Sequence, residues 1–131
     1  MGARPYKYVV PWQLDLNRAL QDLRREVFER GDFRGAEAGF ATPEEALDVS
    51  AGGTRSILDI TKITEDPGLC AASGFDHEEL DYYFGSTTPA VRDIEKNDVV
   101  WTDIERGSAR YVVAYEGGQP HKIVFLGYAF D

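Results

Sequence analysis

The clearest pattern of apolar positions in the chain lies between residues 16 and 28. Leucine, alanine, valine and phenylalanine recur there at spacings of three and four, with arginine and aspartate between them. This spacing places apolar side chains on one face of an α-helix. Asp15 is a suitable N-cap, Gly31 is a suitable left-handed C-cap, and Arg30 suits the negative end of the helix dipole. The pattern predicts a helix over this segment.

Four segments have the character of β-strands. Segments 6–10 and 54–64 are rich in β-branched or aromatic residues, as strands are. Segments 110–116 and 122–130 are joined by Gly-Gly-Gln-Pro, which predicts an antiparallel hairpin. Apolar side chains occupy both alternating faces of the last segment, so we expect it to be a central strand.

Three further segments begin with helix-start signals. Thr42 is followed by a proline, Asp76 lies three residues before Glu79, and Thr88 is followed by a proline. With the strands, these signals predict the element order β-α-α-β-α-α-β-β. We therefore expect a single two-layer α+β domain over residues 1–131, with about four mostly antiparallel strands and helices packed on one face.

The charge of the chain is concentrated in one stretch. The whole sequence has 14 basic and 23 acidic residues, a net charge of −9, and residues 65–105 contain eleven acids against two bases. Such a field repels nucleic-acid phosphates and anionic membranes and attracts basic proteins. We therefore expect a basic protein partner, with no nucleic acid and no membrane.

Several other classes are disfavoured by the sequence. No apolar run approaches the length of a membrane-spanning helix, and the first residues lack the pattern of a secretory signal. A cytoplasmic location is expected. The one cysteine, Cys70, forms no internal disulfide and no Cys-x-x-Cys site.

Catalytic and metal-binding patterns are weak. Cys70 and His77 are a nucleophile and a base close in sequence, but their spacing of seven matches no catalytic motif. The acids after residue 75 lack a calcium-binding loop, and His121 has no second histidine at a zinc spacing. We predict no catalytic residue, no metal and no cofactor, and the sequence favours a protein without enzymatic activity over an enzyme.

These observations favour a binding function. The sequence predicts an acidic module that neutralises or escorts a basic protein partner, either as an immunity-type inhibitor or as a small secretion chaperone. The residues expected to bind the partner all lie within the acidic stretch. They are Asp76, Glu78, Glu79, Asp81, Tyr82 and Asp98.

Two alternatives remain open. The strands contain several tyrosines that would line a pocket on the sheet, which indicates a cofactor-free enzyme or a small-ligand-binding protein. The residues of that site would be Tyr8, Arg55, Tyr111, Tyr115 and Tyr128. The chain would otherwise be a subunit of a larger assembly, including a homodimer.

Overall fold

A mixed β-sheet of five strands forms the centre of the structure, a computed structural model that describes residues 3–50 and 52–131. In that part of the chain, four α-helices and three short 3-10 helices accompany the strands. The strands are β1 (Pro5–Pro11), β2 (Lys62–Thr64), β3 (Ala71–Ser73), β4 (Ala109–Glu116) and β5 (Gln119–Tyr128). The α-helices are α1 (Leu16–Arg30), α2 (Pro43–Val49), α3 (His77–Phe84) and α4 (Val91–Glu95), and the 3-10 helices are Ala36–Ala38, Ile57–Asp59 and Val99–Asp103.

The sheet combines antiparallel and parallel pairs in the order β1-β5-β4-β3-β2. Strand β5 lies inside the sheet and pairs antiparallel with β1 and with β4. Phe125 therefore lies opposite both Tyr8 and Tyr111. Strands β4, β3 and β2 run parallel to one another. The predicted hairpin and the predicted central position of the last strand are confirmed.

Helix α1 forms over the segment that its apolar periodicity predicts. The side chain of Asp15 accepts a hydrogen bond from the backbone N–H of Arg18 at 3.0 Å and caps the first turn. Gly31 ends the helix in the left-handed conformation, with φ of 66°, and donates its N–H to the last turn. The apolar face of α1, including Leu20 and Val27, is buried.

Helices cover both faces of the sheet, not one face as the sequence predicts. Ile123 and Phe125 of β5 belong to a core that α1 and the Ile57–Asp59 turn complete. Val124 and Leu126 belong to a second core, which α4 and the Val99–Asp103 helix complete. Because β5 is apolar on both sides, each side needs its own cover to exclude water.

The predicted strand over residues 54–64 is largely absent. Asp59 accepts hydrogen bonds from the backbone N–H and the hydroxyl of Thr54, at 2.7 and 2.8 Å, and Ser56 accepts one from the N–H of Leu58. These local bonds between side chains and backbone stabilise a turn and a 3-10 helix instead of an extended chain. Only β2 remains as a strand at the end of the segment.

Strand β3 was not predicted. Its sequence, Ala-Ala-Ser, has no β-branched or aromatic residue, and it is extended because it pairs with both β2 and β4. The described element order is therefore β-α-α-β-β-α-α-β-β, with five strands in a mixed sheet, and the prediction of about four mostly antiparallel strands is wrong in these details. The α+β class is confirmed.

A glycine in β5 lets an aromatic ring lie directly on the sheet. The ring of Tyr6 packs over Gly127, and a Cβ added to Gly127 would lie 2.6 Å from that ring. The two residues are opposite one another in the register of β1 and β5. The absence of a Cβ at position 127 thus allows Tyr6 to pack into the first core.

We expect Gly127→Ala to destabilise the fold by about 1–3 kcal/mol, because the methyl group overpacks this contact. Gly68→Ala is the matched control, since a Cβ at Gly68 meets nothing within 4 Å. Urea unfolding of both variants measures the difference. Replacement of Tyr6 by Leu in the Gly127→Ala background should recover part of the loss, and strictly additive effects would contradict the packing explanation.

Candidate functional site

Helix α3 is closed at its start by reciprocal hydrogen bonds. The carboxylate of Asp76 accepts a hydrogen bond from the N–H of Glu79 at 2.8 Å, and the carboxylate of Glu79 accepts one from the N–H of Asp76 at 3.0 Å. Gly85 ends the helix in the left-handed conformation. The capping box, predicted from the sequence, fixes the start of this eight-residue acidic helix, and the glycine cap fixes its end.

A buried arginine holds the beginning of α3 against the sheet. Arg110 on β4 is 7% exposed and donates hydrogen bonds to the carbonyls of Ser73 and Gly74, at 3.3 and 2.6 Å. Its guanidinium lies 4.0 Å above the centre of the Phe75 ring and 3.4 Å from the second carboxylate oxygen of Glu79. These contacts join β3, β4 and the start of α3.

The end of α3 is joined to the Val99–Asp103 helix. The hydroxyl of Tyr83 donates a hydrogen bond to the carboxylate of Asp103 at 2.5 Å. The side-chain amide of Asn97 donates to the carbonyl oxygen of Tyr83, and its oxygen accepts from the N–H of Val100. Residues 97–103 therefore lie beside the C-terminal half of α3.

Desolvation of the phenol and the hydrogen bond to Asp103 raise the pKa of Tyr83 to about 12. Because the folded state holds this proton more tightly than the unfolded chain does, the contribution of Tyr83 to stability is present below pH 10. It is lost as the pH rises towards 12. At neutral pH the phenol is a stable donor to Asp103, and the two elements stay linked.

We call the exposed acidic residues of these two elements, together with Tyr82 and Val99, the acidic surface. Glu78, Asp81 and Tyr82 are spaced at three and four residues and share one side of α3. The Tyr82 side chain is 73% exposed, and Val99 on the neighbouring element is 49% exposed. The carboxylates of the acidic surface are those of Asp76, Glu78, Asp81, Asp98 and Asp103, all exposed.

No ion pair involving these five carboxylates is formed by the residues that the structure describes. Five of the six residues predicted to bind a partner belong to the acidic surface. Glu79 differs, because both of its oxygens are engaged, one by the N–H of Asp76 and the other by Arg110. Val99 and Asp103 were not predicted, and their only sequence signal is their position within the acidic stretch.

The tyrosines predicted to line one pocket lie on different faces. Tyr8 and Tyr111 pack against the first core, and burial raises the pKa of both hydroxyls. Tyr128 packs in the second core with its ring 5.4 Å from Trp101. Tyr115 lies at the end of β4, in a separate cleft.

Arg55, the remaining residue of that predicted pocket, has a different role. Its side chain pairs with the carboxylate of Asp131 at 3.2 Å, and Arg34 pairs with the same carboxylate at 2.9 Å. Hydrogen bonds from these two arginines lower the pKa of Asp131. The structure therefore does not bring the five residues of the predicted pocket together.

Cys70 directly precedes β3, and His77 follows the strand after three intervening residues. Cys70 precedes the strand with a left-handed backbone, φ of 60°, and His77 is the first residue of α3. Across residues 3–50 and 52–131, no cluster of three or more histidine, cysteine or carboxylate side chains is arranged to hold a metal ion. No helix within these ranges is long and apolar enough to cross a membrane.

The anchoring role of Arg110 gives a stability prediction. We expect Arg110→Ala to lower the free energy of unfolding by about 2–4 kcal/mol, because two carbonyls and Glu79 lose their donor in a largely buried place. Glu79→Gln keeps a hydrogen-bonding side chain and should cost about 1 kcal/mol or less. Arg25→Ala, at an exposed arginine of α1, is the control, and equal losses for Arg110→Ala and Arg25→Ala would contradict the role of Arg110.

Comparison of this chain with protein-family models, with curated proteins and with solved structures found no match. Its function is therefore inferred from the residues and the geometry described above.

Proposed function

We propose that this protein is an acidic binding module that neutralises or escorts a basic protein partner, and that the partner docks on the acidic surface. The observation that carries the proposal is an exposed aromatic side chain among exposed carboxylates that form no ion pair within residues 3–50 and 52–131. Tyr82 is 73% exposed, and Glu78 and Asp81 share its side of α3. Exposed tyrosine supplies binding energy in protein interfaces, since its ring is large and it has few rotamers to immobilise.

The carboxylates and the aromatic ring have separate roles in this proposal. Unpaired carboxylates create a negative potential that accelerates encounter with a basic surface and makes binding depend on salt. The Tyr82 ring and the Val99 side chain supply the apolar contact that a purely ionic complex lacks. An arginine of the partner suits both, because its guanidinium stacks on a phenol ring and pairs with a carboxylate.

The acidic surface is also held in a defined shape before any partner binds. Arg110 ties the start of α3 to the sheet, and Asn97 and Tyr83 tie its end to the neighbouring 3-10 helix. A preorganised surface loses less conformational entropy on binding than a flexible acidic segment does. This favours a specific complex over diffuse attraction between opposite charges.

The partner classes in this proposal are a basic toxin, such as a nuclease, and a basic protein that must be escorted to a secretion system. An immunity-type inhibitor would suppress the activity of its partner in a stable complex, whereas a chaperone would keep its partner soluble and later release it. Co-expression separates the two, because only an inhibitor protects cells from an otherwise toxic partner.

The proposal is tested by recovering the tagged protein from its own cells at low and at high salt. We expect a stoichiometric basic protein to co-elute at low salt and to be lost at high salt. The double variant Glu78→Lys and Asp81→Lys should lose this protein. The variant Glu37→Lys and Asp48→Lys makes the same change of charge at exposed sites outside the acidic surface and should retain it.

Equal loss in the two double variants would show that net charge, not the acidic surface, attracts the partner. Recovery of the wild-type protein alone at both salt concentrations would overturn the proposal. Each variant is checked by circular dichroism, since all four substituted positions are exposed and the fold should be unchanged.

The ring of Tyr82 gives an independent prediction. We expect Tyr82→Ala to weaken the complex about 10–100-fold, as at the anchoring residues of other interfaces, with little change in stability. Tyr82→Phe should bind nearly as well as the wild type if ring contact is the main contribution. Isothermal titration calorimetry with the recovered partner measures both, and an unchanged affinity for Tyr82→Ala would exclude the ring as an anchor.

A further inference from the structure

A cleft lies outside the acidic surface, where the β4–β5 hairpin meets the start of α4. Its volume is about 540 Å³, within the range of small-molecule sites. The side chains of Val9 and Val91, together with Ala90, supply apolar lining. A cleft of this size that is partly apolar accommodates a small organic molecule.

Cationic side chains line this cleft in a chain whose net charge is −9. Arg92 and Lys122 border it, together with His121, and among the described lining residues Glu116 alone is acidic. Glu116 lies 3.6 Å from the His121 ring. Arg92 and Lys122 form no side-chain hydrogen bond or ion pair within residues 3–50 and 52–131.

An irregularity in the hairpin brings two of these side chains into one cleft. Ala114 lies opposite Lys122, but the next residue, Tyr115, lies opposite Pro120, so that His121 is an extra residue on β5. In a regular strand, neighbouring side chains point to opposite faces. The β-bulge changes this alternation, and both His121 and Lys122 line the cleft.

The helical side of the cleft is fixed to the bulge by the main chain. The N–H of Tyr115 donates a hydrogen bond to the carbonyl oxygen of Pro89 at 2.8 Å, and Pro89 is buried. This bond holds the segment that leads into α4, which carries Arg92. The distance between Arg92 and the hairpin therefore depends on a defined backbone contact.

We propose that this cleft binds a small organic anion, whose carboxylate contacts Arg92 and Lys122 and whose apolar body contacts Val9 and Val91. Arg92 offers a planar fork of donors that matches a carboxylate, and Lys122 offers a second cation. The phenol of Tyr115 borders the same cleft and is available to an aromatic or aliphatic body. The site shares no residue with the acidic surface, so ligand binding here is tested independently of the proposed partner.

The test uses the full chain labelled with 15N, and benzoate as the probe. At constant ionic strength we expect benzoate to shift the amide signals of Val91, Tyr115 and Gly117 saturably, with a Kd of about 1 mM or lower. Benzyl alcohol has the same ring without the charge and should bind at least about tenfold more weakly. Inorganic phosphate tests charge without an apolar body, and it should also bind more weakly.

The cationic groups are tested by matched double variants. We expect Arg92→Gln with Lys122→Gln to weaken benzoate binding about tenfold or more, while Arg18→Gln with Lys62→Gln leaves it unchanged. Arg18 and Lys62 are exposed cations outside the cleft, and neither forms an ion pair among the residues described. Arg92→Gln alone, at an exposed residue, is used if the double variant does not fold.

Removal of the acid in the cleft gives an effect in the opposite direction. Glu116→Gln should strengthen benzoate binding about two- to fivefold, because it removes the negative charge nearest the ligand. The proposal is overturned by shifts that do not saturate, by equal binding of benzyl alcohol, or by unchanged affinity in the Arg92 and Lys122 variants. Tighter binding of phosphate than of benzoate would replace the organic anion with an inorganic one and would also overturn it.

Discussion

The architecture depends on a single strand that is apolar on both sides. In β5, Ile123 and Phe125 face one core, and Val124 and Leu126 face the other. Each buried methylene contributes about 0.8 kcal/mol, so neither face can remain in water without a large loss of stability. The chain therefore builds a layer on each side, with α1 on the first and the elements between residues 77 and 103 on the second.

Repulsion between carboxylates destabilises the second layer. This layer consists of short elements rich in carboxylates, which repel one another, and α3 has no fully buried residue. Specific polar contacts compensate for this: Arg110 under the start of α3, and Asn97 and Tyr83 at its end. Asp76 and Asp103 take part in such contacts, whereas Glu78, Asp81 and Asp98 are exposed and form no ion pair with any described residue.

The elements that sequence predicts well are those whose determinants are local. Helix α1 follows from its periodicity and caps, α3 from its capping box, and the hairpin from its connection. Strand β3 could not be predicted from Ala-Ala-Ser, because its extended form depends on pairing with strands on both sides. The error over residues 54–64 has a local cause, since the hydrogen bonds of Asp59 and Ser56 override β propensity there.

The same distinction between local and long-range determinants applies to the candidate sites. The acidic surface was largely predictable, since charges can be read from the sequence and a capped helix places them on one side. The double role of Glu79 was hidden, because Arg110 is 31 residues away along the chain. The cleft beside the β4–β5 hairpin could not be predicted from the sequence either, because it requires both the bulge at Tyr115 and the contact of that residue with Pro89.

The position of β1 at the edge of the sheet has a consequence for self-association. An exposed edge strand offers unpaired backbone groups to other chains and is a common origin of aggregation. Strand β1 begins with Pro5 and ends with Pro11, neither of which has an N–H to donate, and Lys7 between them forms an ion pair with Glu95. The opposite edge, β2, has only three residues. The two edges therefore offer fewer backbone N–H groups to a sixth strand than two long edge strands without proline would.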